Sequence, residues 1–337
     1  MPLPPVAWRG EGKEMKAAVL TEEGVRIREV PTPEPKPNEV LVRVRACGLN
    51  RADLLVASGR AHGRVGGAGT VIGLEWAGEV TAIGSEVTGL KPGDRVMCSG
   101  SGGWAEYAVT DFGRASPVPA NNMSWEQAAT LPVALQTMHD AIVTNGRMQR
   151  GDAVLIQGAS SGVGLLGMKI AKHMGARLVI GTSTDAGRRA RLSEFGADLA
   201  LDSRDPGWVD AVLAATDGKG VELIVDQISG YVANDNLKAA AILGRIVNVG
   251  RLGGFSGEFD FDLHALRRIH YVGVTFRTRS VEEVREIVRR MRADLWDAVE
   301  AGDLSLPIDR TFPLEDAAEA LAHMRANAHL GKIVLTV

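Results

Sequence analysis

The chain has 337 residues, enough for two domains of ordinary size. Lys plus Arg (38) against Asp plus Glu (41) leaves a net charge of −3, which excludes a chain-wide electrostatic footprint for nucleic acid, and no apolar run is long enough to cross a membrane. Only two cysteines occur, Cys47 and Cys98, which excludes a disulfide framework and a four-cysteine zinc lobe and points to a reducing, cytoplasmic setting.

Residues 1–14 read as a flexible extension rich in Pro and Gly, without the apolar stretch of a secretory signal. From Met15 to about Glu106 the pattern is β-rich. MKAAVL opens it, VRIREV (25–30) alternates, and EVLVRVRACG (39–48) places Val40, Val42, Val44 and Ala46 on one face. EWAGEVTAIG (75–84) and DRVMCSG (94–100) are further strands. Short strands punctuated by Gly and Pro predict a folded-over β structure. Ser124 reads as an N-cap, with a helical stretch through Ala141. The pattern then alternates. DAVLIQG (152–158) is a buried strand, LVIGTS (178–183) a strand, GRRARLSEFGA (187–197) a helix, and VELIVDQ (221–227) and GRIVNVG (244–250) strands. That alternation predicts a doubly wound α/β unit with a parallel sheet. Amphipathic helices at 280–302 and 314–326 and a closing strand, GKIVLTV (331–337), complete the chain. A nucleotide-binding domain inserted in a discontinuous β-rich domain is the expected arrangement.

The most informative stretch is LIQGASSGVGLLGMKIAKHMGA (155–176). A strand enters a glycine-rich turn and then a helix, the arrangement that presents free N–H groups to a pyrophosphate. Gly158, Ser160, Ser161, Gly162, Val163 and Gly164 form the candidate loop. The next strand ends in Gly181, Thr182, Ser183 and Thr184 where an NAD-binding chain carries an acid, and Arg188 and Arg189 follow. Small hydroxyls with arginines suit a 2′-phosphate, so NADP(H) is the expected cofactor. The turn also fits short-chain dehydrogenases, but those need Tyr-x-x-x-Lys. Tyr107, Tyr231 and Tyr271 are followed four residues on by Asp111, Asp235 and Thr275.

The strings MKAAVL, GLNRADL (48–54), GLEWAGEVTAIGSEVTGLKPGDRV (73–96), GGWAEYAV (102–109), ATLPVALQTMHDAI (129–142), GASSGVG (158–164) and GKIVL (331–335) carry a family likeness. In this order, over about residues 15–337, the chain resembles the zinc-independent quinone oxidoreductases of the medium-chain dehydrogenase/reductase superfamily. The resemblance implies a GroES-like domain (15–136 and 279–337) around a Rossmann NADP-binding domain (137–278), with a cleft between them for nicotinamide and substrate. It also implies a homodimer formed through the sheet edge of the nucleotide domain. Zinc-dependent relatives carry Cys-His where this chain has Asn50-Arg51, and Gly-His-Glu where it has Gly73-Leu74-Glu75, so no metal is expected.

By that resemblance Asn50 lies at the cleft floor and bonds the acceptor oxygen or a ribose, and Thr130 approaches the nicotinamide. Ser203, Ser229, Val249, Gly250, Phe276, Arg277 and Asn327 match positions that line the dinucleotide. Arg279 either faces the cleft or forms a structural ion pair. Relatives often carry a tyrosine near Ala61 and another at Ser203. Here His62 is the one loop candidate for a proton donor, with an exposed loop histidine as the alternative. Without a metal to ionise an alcohol, an electron-poor acceptor is the easier substrate. The expected activity is NADPH-dependent reduction of quinones by direct hydride transfer. The alternatives are reduction of enals, enones or enoyl thioesters, and a non-catalytic nucleotide-binding role of the crystallin type.

Overall fold

The computed structural model describes residues 14–60, 66–120 and 122–337. The chain forms two compact units. The first takes the chain to Val133 with Arg277–Arg289 and Pro307–Val337, and the second comprises Ala134–Phe276 and Arg290–Leu306.

The first unit opens with β1 (Glu14–Thr21) and β2 (Gly24–Pro31), an antiparallel pair. β3 (Glu39–Gly48) follows, then α1 (Arg51–Ala57), β4 (Glu75–Ile83), β5 (Arg95–Ser99), β6 (Tyr107–Asp111) and β7 (Ala115–Pro117). The alternation read in β3 is present: Val40, Val42, Val44 and Ala46 are buried while Arg43 is exposed. Leu41 and Cys47 are buried as well, Leu41 where β3 lies between β4 and β6 and Cys47 where it lies between β4 and β15. The expected helix after Ser124 does start there, with the Ser124 hydroxyl accepting from the Gln127 N–H at 3.1 Å. It is interrupted before Pro132 and then continues past Ala141. α2 (Trp125–Ala128) stops at a turn, α3 (Pro132–His139) restarts it, and Asp140–Asn145 widen into a π-helical turn. Pro132 lacks the N–H a continuous helix needs and is suited to a first turn.

In the second unit β8 (Ala153–Gln157), α4 (Gly162–His173), β9 (Leu178–Thr182), α5 (Ala186–Ala190), β10 (Leu199–Leu201), α6 (Trp208–Ala215), β11 (Val221–Asp226), α7 (Ala233–Ala239), β12 (Ala240–Asn248), α8 (Phe261–Arg267) and β13 (His270–Gly273) succeed one another. The sheet order is β10-β9-β8-β11-β12-β13, with every neighbour parallel. This is the 3-2-1-4-5-6 order of a doubly wound dinucleotide fold, whose switch point lies between β8 and β11. The helix expected over 187–197 is shorter: α5 ends at Ala190, and Leu192–Phe195 tighten into a 3₁₀ turn closed by Gly196 at φ 98°. α9 (Val281–Glu300) contributes to both units and buries Val284, Ile287, Val288, Met291, Leu295 and Val299, the spacing of one helical face.

β14 (Ile308–Pro313), α10 (Ala317–Ala326) and β15 (Lys332–Thr336) return to the first unit. β15 pairs antiparallel with β3 and parallel with β14, completing the order β14-β15-β3-β4-β5-β7. The fold is therefore α/β, a parallel doubly wound sheet in one unit and a largely antiparallel β structure in the other. Among the described residues no helix is long and apolar enough to cross a membrane.

Candidate active site

The glycine-rich loop sits where the topology reverses. β8 runs apolar and fully buried up to Gln157, and Gly158 then turns at φ 71°, a conformation that glycine adopts without strain. Ser161 caps α4, its hydroxyl accepting from the Gly164 N–H at 3.0 Å. A side chain at Gly164 would bring its Cβ within 2.7 Å of the Ala159 Cα, so glycine is required for the helix to close on the loop. Gly162 and Val163 form the first turn of α4, where N–H groups lack intrahelical partners and an anion is favoured.

Beneath the loop lies a buried polar network that the sequence pattern does not reveal. Thr182 donates to Gln157 at 2.7 Å, Gln157 to Asn236 at 2.8 Å, and Asn236 to Asp226 at 3.1 Å. The other Asp226 oxygen accepts the N–H groups of Ile228 and Ser229, at 2.8 and 2.9 Å. Burial pushes the Asp226 carboxyl up, against those two N–H groups, which pull it down. Ser229 is held at φ 57°, and its hydroxyl donates to the Gly250 carbonyl at 2.8 Å. Val249 and Gly250 both donate N–H to the Asp226 carbonyl. The signal available in the sequence is the polar residue ending each apolar strand: Gln157, Thr182 and Asp226.

At the far end of β9 the Ser183 hydroxyl bonds that of Ser160 at 3.0 Å. Arg189 donates to the Ser183 carbonyl at 2.9 Å and pairs with Asp202 at 3.2 Å. Arg188 lies 3.6 Å from Asp185, whose carboxylate is held below its usual range chiefly by the Arg188 backbone N–H. Ser203 bonds the Tyr231 hydroxyl at 3.0 Å, and the Arg204 guanidinium stacks 4.5 Å over the Tyr231 ring. Thus Tyr231 brings an aromatic ring to Ser203.

In the first unit Asn50 precedes α1 and lies in a buried ionic cluster. Its Nδ2 donates to Glu75 Oε1 at 2.9 Å and its Oδ1 accepts from the Lys332 ammonium at 3.0 Å. Lys332 also pairs directly with Glu75 Oε1. Glu75 Oε2 accepts the Val133 N–H at 2.8 Å, and the Asn50 N–H donates to Asp53 at 2.7 Å. Asn50, Glu75 and Lys332 are 8%, 0% and 4% exposed. Burial pushes the Asp53 carboxyl up to about 7, although the Asn50 N–H and the Lys332 charge pull the other way. Glu75 and Lys332 are legible in the sequence only as charges in otherwise apolar strands.

The remaining positions are scattered. The Thr130 hydroxyl is buried and donates to the Gln127 carbonyl at 2.7 Å, within its own turn. Asn327 ends α10 at φ 56° and accepts from Arg51. Arg279 pairs with Glu283 at 3.4 Å. Phe276 is half-buried and Arg277 exposed where the chain leaves the second unit. His62 lies outside the described residues.

Residues 36–120 match the family described as alcohol dehydrogenase GroES-like domain, and residues 162–293 the family described as zinc-binding dehydrogenase, together more than half of the chain. The mycocerosic acid synthase-like polyketide synthase of Mycobacterium tuberculosis is 31% identical over 90% of this chain, which spans only 14% of that protein. Quinone oxidoreductase of Rattus norvegicus is 28% identical, with 91% of this chain and 92% of that one covered. Among solved structures, mycobacterial Rv1454c complexed with NADPH superposes with a TM-score of 0.84 at 26% identity, covering 96% of this chain and 100% of that one.

The donor set around Asn50 does not fit the zinc that the second description implies. By the family resemblance Asn50 and Leu74 stand at the zinc-ligand positions and neither offers a zinc ligand, and Glu75 is already paired with Lys332. Burial pushes both thiols up, away from the thiolate a metal requires, and Cys47 donates to the Gly103 carbonyl. Among the described residues no group of three or more His, Cys, Asp or Glu side chains is placed to hold a metal.

Proposed function

The chain belongs to the medium-chain dehydrogenase/reductase superfamily, and on that premise we propose that it is an NADP(H)-dependent, zinc-independent reductase of quinones. The observation that carries this reading is the Asn50 amide held between Lys332 and Glu75 at the position of a lost metal ligand. Such a site binds an acceptor oxygen but has nothing to ionise an alcohol. The loop at Gly158–Gly164 and the Ser183 end of β9 fit a dinucleotide, and the NADPH complex of the mycobacterial neighbour supports the phosphorylated form. When bound, the reduced nicotinamide supplies the hydride. Asn50 donates to the acceptor oxygen as charge develops there, and a quinol takes its proton from water. The test is NADPH oxidation with quinones as acceptors. Turnover supports the reading, and NADPH binding without turnover of any acceptor contradicts it. The likeness to a segment of a polyketide synthase supports a second reading, reduction of enones or enoyl thioesters at the same site.

Arg188→Ala is expected to weaken NADPH by about 1–3 kcal/mol, the scale for a hydrogen bond to a charged group, and to leave NADH nearly unchanged. Titrating both cofactors against the variant checks this, and equal weakening of the two would refute the assignment of the 2′-phosphate.

A homodimer through the open edge of the parallel sheet belongs to the same proposal. Among the described residues β13 pairs only with β12, and Phe255 and Phe261 nearby are each 77% exposed. Apolar side chains beside an unpaired strand edge are what a second copy would cover. Phe261→Asp is expected to shift the sedimenting species from dimer to monomer. A wild-type chain that sediments as a monomer contradicts it.

A further inference from the structure

We infer that the Lys332 ammonium is the built-in cation of the acceptor site and acts as a positioning residue through Asn50. The inference rests on the reading of Asn50 as the acceptor's ligand.

A lysine ammonium only donates hydrogen bonds, and an ionised carboxylate only accepts them. Asn50 touches one of each, with Lys332 3.0 Å from its Oδ1 and Glu75 2.9 Å from its Nδ2. Turning the amide over would set its N–H bonds against the ammonium and its oxygen against the carboxylate. The two charges therefore fix which way the amide faces. One Nδ2–H is committed to Glu75, and the second is the donor assigned to the acceptor oxygen. A cation on Oδ1 polarises the amide and strengthens that donor.

The position of Lys332 supports a role beyond packing. β15 continues as Ile333, Val334 and Leu335, all fully buried. A buried ion pair in such a strand is often no more stable than an apolar pair of similar volume. Glu75 is held on its other oxygen by the Val133 N–H, and a side chain at Gly48 would come within 2.6 Å of Glu75 Oε1. The ion pair is thus packed from several directions onto the one asparagine that the function needs.

The test compares the parent chain with Glu75→Gln and with Glu75→Gln/Lys332→Met, the double change removing both buried charges together, and repeats the double change in the Asn50→Ala background. The readouts are melting temperature, NADPH affinity, and kcat and KM with 1,4-benzoquinone and 2-cyclohexenone. Loss of Lys332 is expected to lower kcat/KM by about 10²-fold, the scale of a misplaced reacting group, with NADPH affinity unchanged. In the Asn50→Ala background the further loss is expected to be under about threefold, because the two act as a unit. Lys332→Arg is expected to restore part of the activity. An unaltered kcat/KM on loss of Lys332, full additivity with Asn50→Ala, or a parallel loss of NADPH affinity would each overturn the inference. An Asn50→Ala enzyme of normal activity would instead sink the reading on which it rests.

Discussion

Asn50→Ala is expected to lower kcat/KM by about 10²–10³-fold for quinones and enones alike, the range for removing one preorganised donor from a developing oxyanion. The effect is large because the amide is immobilised before the acceptor arrives. Its orientation is set by Lys332 and Glu75, and its own N–H is tied to Asp53. The loss falls on kcat as well as on kcat/KM if the bond strengthens in the transition state, whereas a rise in KM alone marks uniform binding. Steady-state kinetics with both acceptors decide it, and the account fails if neither constant changes.

Glu75→Ala is expected to destabilise the first unit by about 3–5 kcal/mol, the cost of breaking a buried ion pair from one side. The variant strands the Lys332 ammonium, one Asn50 N–H and the Val133 N–H, all of which end on this carboxylate in the parent chain. For a unit of this size the shift in melting temperature is roughly 10 °C. Glu75→Gln keeps an acceptor for the neutral donors and is expected to lose less. Thermal unfolding of the two variants against the parent checks the order. Equal melting temperatures for all three would show that the cluster contributes little to stability.

The strands and the phosphate loop are legible in the sequence because their signals are local. Alternation in 39–48 and the apolar run before Gly158 each fit within ten residues, and Ser124 announces its helix by residue type alone. β7 and β10 escape such a reading because three residues are too few to show a period. The stretch over 124–141 reads as helical with a bend at Pro132, and the backbone turns just before that residue, between α2 and α3. The candidate site is half legible. Asn50 and the glycines stand out in the sequence, but Lys332 is 257 residues from Glu75, and the pairing of β3 with both β15 and β4 joins them. Tyr231 escapes for the same reason, since its link to Ser203 depends on the order of strands in the sheet.

The central claim is hydride transfer from NADPH to an electron-poor acceptor without a metal. Its most direct test is the initial rate of NADPH oxidation by the full chain over a panel of quinones, enones and enoyl thioesters, with and without a chelator, beside NADP⁺ reduction by simple alcohols. The account predicts turnover of at least the quinones, undiminished by the chelator, and no alcohol oxidation. Chelator-sensitive oxidation of an alcohol, or tight NADPH binding with no acceptor reduced, would contradict it.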